Sequence, residues 1–294
     1  MKNLNIEDLR ITSQVKLADL PTRIEVKEDH SEIKKKLKKI RHKLSKIQDK
    51  MYAHNKYSVL VCLQGMDTAG KDSLIREVFK EINPRGVVVE SFKTPTSAEL
   101  EHDFLWRHYK ALPERGKIGV FNRTHYENVL ITRVHPEYIL NENIPTILSV
   151  EDIPENFWQE RMKDMNHFED HISKSGTIVL KFFLHLSKEE QRQRLLRRLE
   201  KNKHNWKFSP SDLEERGYWD VYQNCYEEIL NTTSTEKAPW FAVPADDKKL
   251  ARYIVGKVVL TELKKHKNIQ NPELVAVVQE NIKKYKKILS ESKD

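Results

Sequence analysis

The chain has 294 residues, 38% hydrophobic and 33% charged, with a formal net charge of +8 and a pI near 9.2. That length suits one large α/β domain, and the basic balance fits phosphate-rich partners without choosing among them. Two cysteines, Cys62 and Cys225, argue against a disulfide scaffold and a zinc site. No apolar run approaches the roughly 18 residues of a membrane helix. The opening MKNLNIEDLR lacks the apolar core of a signal peptide. The expectation is a reduced, cytoplasmic protein with no membrane partner.

Residues 1–30 are polar, carry Pro21 and read as an extended arm. Residues 31–54 form an amphipathic helix, with Ser31 as candidate cap. Ile33, Leu37, Ile40, Leu44, Ile47 and Met51 recur at alternating steps of four and three. This helix is expected to pack on the core or on a second subunit. Its basic face lacks the interleaved aromatics that bind single-stranded nucleic acid.

The apolar run Val59–Leu63 predicts a buried strand, and a helix is expected from Lys71 to about Ile82. Between them, Gly65, Gly70 and Lys71 fit G-x-x-x-x-G-K, the phosphate-binding P-loop or Walker A pattern. Glycines let the backbone form a concavity of N–H donors, a helix N-terminus faces the anion, and a lysine reaches the outer phosphates. Gly65, Thr68, Ala69, Gly70, Lys71, Asp72 and Ser73 are the candidate phosphate binders. Asp72 stands where a hydroxyl residue is usual, and Asp67 lies inside the loop. An acid among phosphates costs energy unless it holds a metal or a proton.

Further strands are predicted at Val87–Phe92, Lys117–Asn122, Thr177–Leu186 and Trp240–Val243. Helices are expected between them, at about 97–112 (capped by Ser97), 124–131, 154–174, 188–201, up to 230, and 247–266. Strands alternating with helices predict an α/β fold, a parallel five-stranded sheet with helices on both faces. The organisation read here is an arm (1–30), a single kinase-like domain (31–266) and a charged helical tail (267–294).

Ligands of such sheets bind outside the carboxyl ends of the strands. The third strand ends in Asn122, followed by Arg123, Glu127 and Arg133. A P-loop enzyme commonly offers an acid there for Mg²⁺. Asn122 is neutral, and Glu127 supplies the missing charge. Arg123 and Arg133 are candidate phosphate forks. The competing reading is an Arg123–Glu127 ion pair on a surface helix. The basic helix KEEQRQRLLRR, with Leu195, Leu196 and Leu199 as its packed face, leads into a polar stretch broken at Pro210. Residues 188–217 are read as a lid, with Arg192, Arg197, Arg198, Lys207 and Arg216 as candidate substrate contacts.

The loop GMDTAGKDS, the turn NPRG, the run from SFKTPTSAEL through GVFNRTHYENVLITRVHPEY, and later GTIVLKFFLHLSKEEQRQRL, NWKFS, DLEER and APWFAVPADDK resemble the polyphosphate kinase 2 family over roughly residues 30 to 265. Asn122 with Glu127 resembles its class III pattern; classes I and II usually carry aspartate at the first position. The resemblance implies a thymidylate-kinase-like P-loop fold. It implies reversible phosphoryl transfer between inorganic polyphosphate and nucleoside mono- and diphosphates, with Mg²⁺ or Mn²⁺, by a homo-oligomer (dimer or tetramer). It implies Asp67, Lys71, Arg123 and Glu127 as catalytic residues, with Asp67, Glu127 and Asn122 toward the metal. Two other functions compete: an ATP-dependent nucleoside monophosphate kinase of the same fold, and a non-enzymatic basic polyanion-binding protein.

Overall fold

The structure, a computed structural model, describes residues 5–200 and 211–292. Five strands, β1 (Ser58–Gln64), β2 (Val87–Ser91), β3 (Ile118–Asn122), β4 (Thr177–His185) and β5 (Trp240–Pro244), form one parallel sheet in the order β2-β3-β1-β4-β5. The helices are α1 (His30–His54), α2 (Lys71–Val78), α3 (Ser97–Leu100), α4 (Trp106–Lys110), α5 (Glu127–Val134), α6 (Phe157–Lys174), α7 (Lys188–Glu200), α8 (Ser211–Gly217), α9 (Trp219–Thr233), α10 (Lys248–Lys265) and α11 (Ala276–Glu291).

β1 lies at the centre and is buried along its whole length. A strand covered on both faces reads as a continuous apolar run, so this one was legible. Its alternate residues feed two cores. Val59, Val61 and Leu63 pack with Val120, Phe182, Ile254 and Val258 beneath α1, α2 and α10. Leu60 and Cys62 pack with Phe121, Phe168 and Ile172. A third cluster, rich in aromatic residues, joins α5, α6 and α9. The register pairs Leu63 with Asn122, so the loops after β1 and β3 leave the sheet side by side.

Several boundaries differ from expectation. Asp29, not Ser31, caps α1: its carboxylate accepts from the Ser31 and Glu32 amides at 2.7 and 2.8 Å. Thr96, not Ser97, caps α3 through a capping box with Glu99. The single helix expected over 97–112 is two short ones. Asp103 restarts the chain, accepting from the amide of Leu105 at 2.9 Å. Leu195 of α7 is buried, but Leu196 and Leu199 are exposed, and the packed face instead carries Gln191 and Arg194.

The arm is docked on the body. Ile6, Leu9, Ile11 and Leu17 are buried, and the Ile11 amide donates to the Trp240 carbonyl at 2.9 Å. With the Arg10–Phe241 bridge it covers the outer edge of β5, which would otherwise present unpaired backbone groups. No residue of α11 is buried. Among the described residues no helix is long and apolar enough to cross a membrane.

Candidate active site

The phosphate loop begins where β1 runs out. Gly65 has φ +150°, and a Cβ there would sit 2.9 Å from the Leu184 carbonyl oxygen, so only glycine fits against β4. Gly70, at φ +105°, is the left-handed residue that turns the chain into α2. Lys71 arches back over the loop and donates to the Gly65 carbonyl at 2.6 Å. Burial, then the Arg123 charge, lowers its pKa; Asp67, Glu127 and Asp72 oppose them.

The end of β3 supplies the facing wall. Asn122 donates to Asp72 Oδ1 at 2.7 Å and to Ser91 Oγ at 3.3 Å. The unusual acid of the loop is therefore tied to the unusual amide of β3. The Oδ1 of Asn122 is buried without a hydrogen-bond partner among the described residues. Arg123 adopts φ +58°, a conformation that costs a non-glycine residue about 1–3 kcal/mol. Its guanidinium lies 3.0 Å from Asp67 and 3.6 Å from Glu127. Glu127 first, and Asp67 after it, raise its pKa against the pull of burial. The helical ion pair weighed from the sequence exists, and it faces a cleft rather than open surface.

That cleft has a volume of about 500 Å³ and is lined by Gly65, Asp67, Arg107, Arg123, Glu127 and Arg216, among others. Arg133 does not line it. Six residues beyond Glu127, it lies on another face of α5, pairs with Glu228 of α9 and stacks 5.5 Å over Trp158. Expected as a phosphate fork, it stands in this structure at that ion pair instead of in the cleft lining. Three lid candidates lie off the cleft lining: Arg192 pairs with Glu189, Arg197 with Glu190, and Arg198 with Asp212. Arg216 reaches it, donating to Gln191 Oε1 at 2.5 Å. Lys207 and the NWKFS segment lie outside the described residues.

Four residues were missed. Arg194, almost fully buried, donates to the carbonyls of Thr68 and Ala69 in the phosphate loop, both at 3.0 Å, and to those of Ala245 and Asp246 after β5 at 2.7 and 3.0 Å. Gln191 donates to the Asp67 carbonyl at 3.2 Å, so its two ends join the loop to Arg216. Arg107 reaches the cleft beside Phe92 and donates to the Lys93 carbonyl. Lys248 lies against the loop: a Cβ on Gly70 would be 3.7 Å from its Cε. The available signal for Gln191 and Arg194 was their spacing, which puts both on the face shared with Leu195.

A parallel sheet with a glycine-bounded loop between its central strand and a helix, faced by an arginine from the next strand, defines a P-loop kinase-like protein. Within that class the chain belongs to the polyphosphate kinase 2 family, whose model matches residues 27–271. It is 53% identical over 209 residues to an ADP-polyphosphate phosphotransferase of Rhodopseudomonas palustris, an overlap of 71% of each chain. It is 43% identical over 213 residues to an AMP/ADP-polyphosphate phosphotransferase of Meiothermus ruber, covering 72% of this chain and 74% of that one. The crystal structure of polyphosphate kinase 2 from Arthrobacter aurescens TC1 superimposes with a TM-score of 0.84 at 34% identity, over 95% of this chain and 96% of that one.

Proposed function

We propose that this protein transfers phosphoryl groups reversibly between inorganic polyphosphate and nucleoside mono- and diphosphates, carrying AMP to ADP and ADP to ATP. The observation that carries the reading is the convergence of Asp67 and Glu127 on the Arg123 guanidinium beside the phosphate loop. A site that binds phosphate only passively has no use for two carboxylates there.

Phosphoryl transfer needs positioning and charge neutralisation more than covalent help. In this reading Gly65, Thr68, Ala69, Gly70 and Ser73 shape the cradle for the phosphates, and Lys71 exchanges the Gly65 carbonyl for a phosphate oxygen. Asn122 holds Asp72 aside. Arg123 meets the charge that spreads over the transferred group. The attacking terminal phosphate oxygen is already anionic near neutral pH, so no strong general base is required. Arg216 closes on the cleft from the lid (188–217) of the domain read as 31–266.

Asp67, Glu127 and the unpaired Asn122 Oδ1 are hard oxygen donors suited to Mg²⁺ or Mn²⁺. The described residues contain no group of three His, Cys, Asp or Glu able to hold a metal by themselves. That fits an ion that takes most of its oxygens from phosphates and water. Bound there, it would neutralise charge on the phosphate oxygens. A cytoplasmic homo-oligomer completes the proposal.

The test is ATP formation from ADP, and from AMP, with polyphosphate and Mg²⁺ and no ATP supplied. Product from both supports the reading. Product from ADP alone removes the monophosphate step, and no product from either removes the function.

A further inference from the structure

The chemistry proposed above uses Arg123 and Glu127, the two ends of a five-residue turn. The side chains of His125 and Tyr126, between them, are fully buried. Both end on one atom: His125 Nε2 lies 3.0 Å from Glu169 Oε1, and the Tyr126 hydroxyl donates to the same oxygen at 2.9 Å. A carboxylate only accepts, so His125 donates from Nε2. Lys181 of β4 lies 2.5 Å from the other oxygen, Glu169 Oε2, and also donates to the Tyr126 hydroxyl and the Thr233 carbonyl. Glu169 and Lys181 are themselves almost completely buried. A second tie runs from the end of β1. Gln64 donates to Thr124 Oγ1 at 3.1 Å, and that oxygen also accepts from the Tyr126 amide.

A buried ion pair is weak evidence for a stability role, because well-packed apolar residues in its place are often neutral or stabilising. This one is spent on a single turn. A strained backbone such as Arg123 at φ +58° persists only where its surroundings over-determine it. Here those surroundings are Gln64 at the end of β1, Lys181 in the middle of β4, Glu169 inside α6 and Thr233 at the end of α9, gathered around residues 124–126.

We infer that Glu169, neutralised by Lys181, is a positioning residue for phosphoryl transfer, gripping His125 and Tyr126 so that Arg123 and Glu127 are presented together to the cleft. The inference rests on the proposed function, and its test separates the two. Wild-type enzyme is assayed first with ADP, polyphosphate and Mg²⁺. Glu169→Gln and Tyr126→Phe are then compared by kcat, by KM for each substrate, and by hydrogen exchange of the amides of residues 124–127. Loss of the outer partners that orient metal-site side chains typically costs about 10- to 100-fold in metal affinity or activity, and Glu127 is proposed as such a side chain. The expected result for Glu169→Gln, per folded enzyme, is a fall in kcat of at least about tenfold. Both KM values should stay within about twofold, and the turn should exchange faster while β1 does not. A merely structural role would lower the melting temperature and leave kcat per folded molecule alone. A folded Glu169→Gln enzyme with kcat within about twofold of wild type and unchanged exchange overturns the inference. If Glu169→Gln does not fold, Tyr126→Phe, which removes one hydroxyl and no charge, decides by the same criteria. If wild type makes no ATP, the proposed function fails, and exchange alone decides whether Glu169 holds the turn.

Discussion

Arg123 Nη2 lies 3.0 Å from Asp67 Oδ1, across the mouth of the phosphate loop. The second terminal nitrogen, Nη1, faces Glu127 at 3.6 Å, so one cation serves two carboxylates. The three side chains are partly exposed, so the pairs add little to stability. Their value lies in where they hold charge. Asp67→Asn should leave the melting temperature within a few degrees and lower kcat by at least about a hundredfold, the scale seen when one electrostatic group is removed from a transition state. Polyphosphate binding should be unchanged or tighter, because one negative charge leaves the loop. Binding and turnover measured on the same preparation check this, and parallel loss of both would refute it.

Glu127 is the first residue of α5 and lines the cleft at the loop after β3. Under the proposed function this acid, the only one contributed by that loop, would let one site accept both a mono- and a diphosphate by holding metal at the acceptor phosphate. Glu127→Gln keeps the shape and removes the charge. The expected outcome is an unequal loss, with the ratio of AMP to ADP phosphorylation changed by at least about fivefold, equivalent to about 1 kcal/mol of discrimination. Rates with the two acceptors at saturating polyphosphate give the ratio. A ratio left unchanged, whether both rates hold or both fall equally, would end the idea.

What the sequence disclosed and what it hid follow from range. β1, Gly65, Gly70 and Lys71 were legible because strand, turn and helix lie next to one another in the chain and each obeys a local rule. β1, β3, β4 and β5 were legible because buried parallel strands are apolar on both faces, whereas β2, a partly exposed edge strand, was legible only from its run of valines after a turn. The surroundings of Arg133 were not legible because charge says nothing about helix phase; on α5 the phase turns it toward Glu228. Arg194 was passed over because nothing local shows that the carbonyls of Thr68 and Asp246 meet it. The arm read as polar because Ile6, Leu9, Ile11 and Leu17 follow no helical or strand period, and their burial depends on the edge of β5.

Arg194 braces the loop from below, donating to two carbonyls on each side of it and to Glu190. Arg194→Met keeps the stem and strands those acceptors. A buried polar group left without its partner costs about 1–3 kcal/mol. For a chain of this size each kcal/mol is worth about 2–4 °C, so the melting temperature should fall by several degrees. KM for polyphosphate should rise, since the Thr68 and Ala69 peptides would no longer be fixed. Arg194→Lys, with one point charge for a planar fork, should recover only part of either loss. A Met variant with unchanged melting temperature and KM would show that the loop holds its own shape.

Lys248 should give the protein a pH dependence in the alkaline range. Burial, then the neighbouring Arg194 and Arg197 charges, lowers its ammonium to about 8. The residue as a whole is exposed, so the neighbouring charges, which a bound anion would offset, are the part that bears on function. The sign is fixed by the direction of the shift. A lysine with a folded pKa below its ordinary 10.5 binds fewer protons folded than unfolded between about 8 and 10.5. Its contribution therefore opposes folding below about 8, and that penalty fades as pH rises through this window. Attraction for anions runs the other way, strongest below about 8 and fading above it. At pH 7 Lys248→Met should raise KM for polyphosphate by about fivefold, the worth of about 1 kcal/mol for a partly screened charge pair. At pH 9 the difference between wild type and variant should shrink toward twofold or less, unless the polyphosphate restores the proton as it binds. Proton uptake on mixing protein with polyphosphate in weak buffer at pH 9 distinguishes those two cases. A KM ratio that is equal at both pH values, with no uptake, would remove Lys248 from the polyphosphate path.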